Sequence, residues 1–139
     1  KGPGKTALKK SEFVESIELP EKKKRMGDAY LRFIPRTEMD IAVVGVGICL
    51  TLDAKGKCTA ARVALGAVGP TVIISDKAAK ALIGTMVDDA ALDALARVCE
   101  KEAKPIDDKR GTKEFRKHIA GVLARRAAVI ARDRAKETR

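Results

Sequence analysis

Residues 28–44 read DAYLRFIPRTEMDIAVV, and the fold turns on how this stretch is parsed. Ala29 to Ile34 is a short extended run carrying Tyr30, the one tyrosine of the chain. Pro35 stops it, because proline has no N–H to give to a sheet ladder. A charged link follows, Arg36-Thr37-Glu38-Met39-Asp40, and then a long apolar strand from Ile41 to Leu52. This parse predicts a lip of one tyrosine and two arginines, Tyr30, Arg32 and Arg36, at the border of a central sheet. Tyr30 and Arg32 lie two apart in an extended segment, so they share a face. A ring beside a guanidinium suits a flat, anionic ligand; the plain alternative is an edge tyrosine with an arginine in solvent.

Outward from the lip, Ile41–Leu52 is apolar at nearly every position, which predicts a strand buried on both faces. Gly45 and Gly47 thin that run and indicate something packed close to its backbone, another element or a ligand. Asp53 to Lys57 reads as a turn, and Cys58 to Val68 as the returning strand of a hairpin, closed by Gly69-Pro70. Upstream, Phe13, Glu15, Ile17 and Leu19 alternate with Val14, Ser16 and Glu18, which predicts a further strand over Ser11–Leu19 ended by Pro20. Downstream the period changes to that of helices. Ser75 or Asp76 caps a helix through Thr85, with Ala78, Ala79, Leu82 and Ile83 inward. Asp88 and Asp89 open a second helix to Ala103, with Leu92, Leu95, Ala96 and Cys99 on one face. Thr112 caps a long helix to Lys136 with the stripe Phe115, Ile119, Val122, Leu123 and Ile130. Arg116, Lys117, Arg125, Arg126, Arg132 and Arg134 are expected on its solvent face. Strands followed by helices predict an α+β fold: a three-stranded antiparallel sheet, with Ala29–Ile34 as an added short strand, and three helices on one side.

The 139 residues suit one domain with a modest core, and 45% are apolar. Aromatics are 3% with no tryptophan, which speaks against base stacking. The net charge of +10 is scattered, with no nucleic-acid motif. It fits solvated basic faces or an anionic cofactor or protein partner better than a nucleic acid. Cys49, Cys58 and Cys99 lack metal or disulfide spacing, and a reducing cytoplasm is expected. No apolar run reaches membrane-span length, and the N-terminal residues lack the apolar core of a signal peptide. GPGKT at residues 2–6 resembles the end of a phosphate-binding loop. The motif's first glycine would fall before residue 1, and a strand pattern follows instead of a helix. The single histidine, His118, reads as a surface residue of the last helix. Asp107 and Asp108 read as cap or ion-pair partners. No catalytic residue and no metal ligand is assigned.

Three blocks carry a family resemblance: DAYLRFIPRTEMDIAVVGVG at 28–47, ARVALGAVGPT at 61–71 and PIDDKRGTKEFRKHIAGVLARRA at 105–127. In this order they resemble the C-terminal domain of the flavoprotein (medium) subunit of molybdenum hydroxylases, the family of carbon monoxide dehydrogenase and xanthine dehydrogenase. The resemblance implies that residues 1–10 are the tail end of an N-terminal FAD-binding domain and that 11–139 are the C-terminal domain. It implies FAD shared with that N-terminal domain, and a lid over the isoalloxazine. Tyr30 would lie by the ring, and Arg32 would stand where a lysine commonly contacts the cofactor. Asp40 matches a recurring acidic position. It also implies partners: a large subunit with the molybdenum cofactor and a small subunit with two [2Fe–2S] clusters. Together they would form an oxidoreductase in which electrons pass to FAD and on to an acceptor. The chain has no Gly-Gly pair and nothing like the family's glycine-rich FAD loops, so it is not expected to hold FAD tightly or to be catalytic alone. Two other readings stand beside this one: a basic nucleic-acid-binding module, and a purely structural subunit-contact domain.

Overall fold

The structure is a computed structural model that describes residues 2–36 and 40–138. Its centre is an antiparallel meander of β1 (Met26–Phe33), β2 (Val44–Leu52), β3 (Cys58–Gly66) and β4 (Ile73–Ile74), in that spatial order. Three helices follow: α1 (Asp76–Leu82), α2 (Asp89–Glu102) and α3 (Lys113–Glu137). The α+β class stands as expected. The helix starts do too: Ser75 Oγ accepts from the Ala78 N–H, Asp88 from Ala91 and Thr112 from Phe115, each satisfying a helix N–H that has no partner within the helix.

The helices cover one face of the sheet. On that face Val44, Val46, Ile48, Leu50 and Leu52 of β2 and Val63 and Leu65 of β3 are buried against Leu82, Leu92, Leu95 and Cys99. Burial pushes the Cys99 thiol up to about 12, so it behaves as a small apolar side chain. The expectation that β2 is buried on both sides needs correction. Its other face carries Gly45, Gly47, Cys49 and Thr51, of which Gly47, Cys49 and Thr51 are only half-buried, and among the described residues none belongs to the core cluster shared with the helices.

Four further corrections concern the elements. First, the Ala29–Ile34 run is a full eight-residue edge strand, paired from Met26↔Thr51 to Phe33↔Val44. Second, β4 was missed, since two residues are too few to show an alternation. Third, Ser11–Leu19 forms no strand: Phe13, Ile17 and Leu19 are 80%, 83% and 86% exposed. A strand pattern needs a neighbouring ladder and a surface to cover, and this segment meets neither here.

Fourth, most of the buried face of α3 is not the predicted stripe, of which only Leu123 is buried. Ala120, Ala124, Ala127, Ala128, Ala131 and Ala135 are buried against the sheet and α2, while Val122 and Ile130 are half-buried and Phe115 is 39% exposed. Small side chains let the helix lie close to the strands, and the closest approach is at Gly27 of β1. A Cβ there would overlap the Ala131 carbonyl oxygen and stand 2.5 Å from the Ala135 nitrogen. Both are backbone atoms of α3 and cannot swing aside. Gly27→Ala is therefore expected to destabilise the fold by about 3 kcal/mol, read as a lowered urea midpoint with unchanged slope.

Candidate functional site

The site is built on the open face of the sheet. Along β1 the buried residues are Gly27 and Ala29, and Asp28, Tyr30 and Arg32 alternate outward. Tyr30 stands opposite Gly47, and Arg32 opposite Gly45. With no Cβ at either glycine, the phenol ring lies down on β2. A Cβ at Gly45 would sit 2.7 Å from the Tyr30 hydroxyl, and one at Gly47 3.8 Å from Cδ2. Tyr30 is still 63% exposed, so much of the side chain remains open. Beyond it a shallow cleft of about 260 Å³ runs over Gly47 and Ala64 to Cys49 and Arg62. Burial pushes the Cys49 thiol up; Asp28 adds to this and Arg62 opposes it, so charges of both signs flank the cleft.

Arg32 makes no ion pair among the described residues. Its side chain lines a larger groove of about 820 Å³ between β1 and α3, floored by Leu31, Phe33, Val122 and Ile130. Phe33 and Phe115 meet there edge to face, with centroids 5.7 Å apart. The structure thus leaves Tyr30 and Arg32 exposed at alternate positions of β1, as alternation predicts, with Tyr30 over β2 and Arg32 at the groove toward α3.

Asp40 is differently engaged. Its side chain is 4% exposed, and Arg36 and Arg110 each reach it at 3.4 Å. The Ile41 N–H donates to it at 2.9 Å. Desolvation works to raise its pKa, but Arg36, the Ile41 N–H and Arg110 together hold the carboxyl below the usual range. Both oxygens are spoken for, and the contacts tie the β1–β2 connection to the α2–α3 turn seventy residues away. Of the lip, Thr37, Glu38 and Met39 lie outside the described residues.

Arg116 makes a second tie. It was expected in solvent and is 4% exposed. Its guanidinium donates to the carbonyls of Val43 at 3.3 Å and Gly111 at 3.4 Å, and it pairs with Asp108. The Arg110 N–H foremost, then Arg116, keep the Asp108 carboxyl low. Asp107 accepts from the Lys113 N–H, which lowers its pKa in turn. The acidic pair is thus ion-pairing and capping material, as read from sequence. Arg110 and Arg116 were not singled out, because nothing in a run of basic residues marks which of them turns inward.

The model of the family described as the CO dehydrogenase flavoprotein C-terminal domain matches residues 29–130. The chain belongs to this family. It is 35% identical to the carbon monoxide dehydrogenase medium chain of Afipia carboxidovorans, over 94% of this chain and 45% of that protein. It is 27% identical to a xanthine dehydrogenase FAD-binding subunit of Escherichia coli O157:H7, over 90% of this chain and 43% of the relative. Its fold superposes on reconstituted CO dehydrogenase from Oligotropha carboxidovorans with a TM-score of 0.88 at 33% identity, covering 96% of this chain and 46% of that one. The chain therefore spans less than half the length of the curated relatives it matches.

Two outcomes follow from these ties. Arg116→Met is expected to destabilise by about 2 kcal/mol, because it leaves the Val43 carbonyl and Asp108 without their partner; chemical denaturation measures this. The depressed Asp40, Asp107 and Asp108 carboxyls contribute stability that is complete above the ordinary aspartate value of about 4. It is lost as pH falls below that value and through their lower folded values. Urea midpoints should therefore be level above about pH 5 and drop in acid, and Asp40→Asn should make the acid drop shallower.

Proposed function

We propose that this chain is the C-terminal part of the flavoprotein subunit of a molybdenum hydroxylase, and that its open sheet face covers the isoalloxazine of FAD. The observation that carries the reading is Tyr30, which runs along the β2 glycines and is still 63% exposed. The residues present fit one part of the cofactor. An exposed aromatic ring can stack on a planar heterocycle, and a guanidinium on the same strand, without an ion pair among the described residues, can meet its negative charge. Nothing among them forms a cradle for a pyrophosphate. The larger share of the site therefore belongs to an N-terminal FAD-binding domain.

On this reading FAD supplies the electron-accepting chemistry, and the chain positions and shields it. Tyr30 excludes water from one face of the ring, and Arg32 holds charge beside it. Asp40 acts on the site through the shape of the lip, fixed by its pairs with Arg36 and Arg110. The assembly partners are a large molybdenum subunit and a small iron–sulfur subunit of a cytoplasmic oxidoreductase. Residues 1–10 close the N-terminal domain. The exposed Phe13, Val14, Ile17 and Leu19 extend that boundary further along the chain, since a segment so apolar suits a covered position. The family match beginning at residue 29 agrees with a later start.

FAD binding tests the proposal, followed by fluorescence quenching with this chain alone and with the N-terminal half restored. The chain alone should leave flavin fluorescence unchanged, and the restored protein should be a stoichiometric yellow flavoprotein. Tyr30→Ala and Arg32→Ala should each weaken it about tenfold, near 1.4 kcal/mol. Tight binding indifferent to both changes would make the domain a scaffold.

A further inference from the structure

Gly45 lies on the face of β2 turned away from the core cluster, and yet it is buried. Its cover is Tyr30: an added Cβ would stand 2.7 Å from the hydroxyl oxygen, 3.3 Å from Cε2 and 3.4 Å from Cζ. At Gly47, on the same face, the added Cβ would be 3.8 Å from Tyr30 Cδ2, an ordinary contact. The ring therefore runs along β2 from its own partner Gly47 toward Gly45, and its hydroxyl end arrives at the register of Arg32.

The backbone does not require glycine here. Gly45 is not among the glycines with positive φ, which are Gly2, Gly4, Gly56, Gly84 and Gly111. A glycine inside a strand weakens it relative to alanine. The atoms that meet the added Cβ are all at the far end of one side chain. Gly27 is the contrast, since there the obstruction is helix backbone.

We infer that Gly45 is a positioning residue for Tyr30: its missing side chain lets the ring run along β2 and keeps the hydroxyl end at the register of Arg32. An alanine at 45 displaces the ring from β2, while the strand stays paired. An alanine at 47 leaves the ring where it is. The functional half of this inference rests on the flavin reading above; the geometric half does not.

The chain has one tyrosine and no tryptophan, so its tyrosine signals report Tyr30 alone. The first experiment compares near-UV circular dichroism at the tyrosine band, and acrylamide quenching of tyrosine fluorescence, in the 139-residue chain and its Gly45→Ala and Gly47→Ala variants. Gly45→Ala should lose most of the tyrosine dichroism and be quenched more readily, with a melting temperature no lower than the parent's. Gly47→Ala should match the parent. A parental tyrosine signal in Gly45→Ala overturns the inference. So does a Gly45→Ala chain that fails to fold, because then the strand and not the ring needs the glycine.

The second experiment uses the protein with its N-terminal half restored and reads the visible flavin spectrum and FAD dissociation. Gly45→Ala should weaken FAD by a factor similar to Tyr30→Ala, and the double variant should be no worse than Tyr30→Ala alone. If Tyr30→Ala changes the flavin and Gly45→Ala does not, Gly45 positions nothing that matters. If neither changes the flavin while Gly45→Ala still moves the tyrosine signal, the flavin reading falls and the packing of Tyr30 on Gly45 stands.

Discussion

The close approach of α3 to β1 at Gly27 is the constraint on which the rest of the structure depends. A 25-residue helix is about 37 Å long and crosses the sheet along its edge strand. Gly27 and the alanine face let the two backbones meet with almost nothing between them. That contact sets where both ends of the helix fall. Near its C-terminus Arg134 donates to the Asp28 carbonyl at 2.7 Å, and the Thr138 carbonyl accepts from the Arg25 N–H. Near its N-terminus Arg116 reaches the Val43 carbonyl. The helix holds β1 at its start and the lip where β2 begins.

With one face of the sheet closed in this way, the two faces of β2 have opposite chemistry. Val44, Val46, Ile48, Leu50 and Leu52 fill the core, and the residues between them are small. A strand lacking bulk on one face leaves room for a neighbouring side chain to lie down, and Tyr30 takes that room. The same arrangement leaves Arg32 outside the core and without an ion pair among the described residues. The proposed flavin contact is thus a consequence of where the bulk is missing.

Charge explains why the lip keeps its shape. Most of the net +10 is spread over exposed side chains, but a few cations are put to structural use. Arg116 is buried on backbone carbonyls and Asp108, and Arg110 and Arg36 hold Asp40. Arg125 joins α3 to α2 through Asp89 and Asp93. Hydrogen-bonded cations of this kind transmit the position of α3 to the β1–β2 connection, and removing one leaves its acceptors unpaired.

Much of the fold was legible in the chain itself. Local rules place the capped helix starts at Ser75, Asp88 and Thr112, the 53–57 turn, the β2–β3 hairpin and the shared face of Tyr30 and Arg32, because each depends on residues within a few positions of one another. Three signals misled for a common reason: alternation at Ser11–Leu19, the large-residue stripe of α3 and the basic run containing Arg116 all describe side chains without saying what lies opposite them. Only the tertiary structure decided that the Ser11–Leu19 pattern finds no ladder, that alanines are buried more fully than Ile119 or Ile130, and which arginine turns inward. The glycines show the division most plainly. Gly45 announces a close approach in the sequence and Gly27 does not, yet one meets a tyrosine ring and the other helix backbone, because what fills the space over a missing Cβ is set by packing between distant segments.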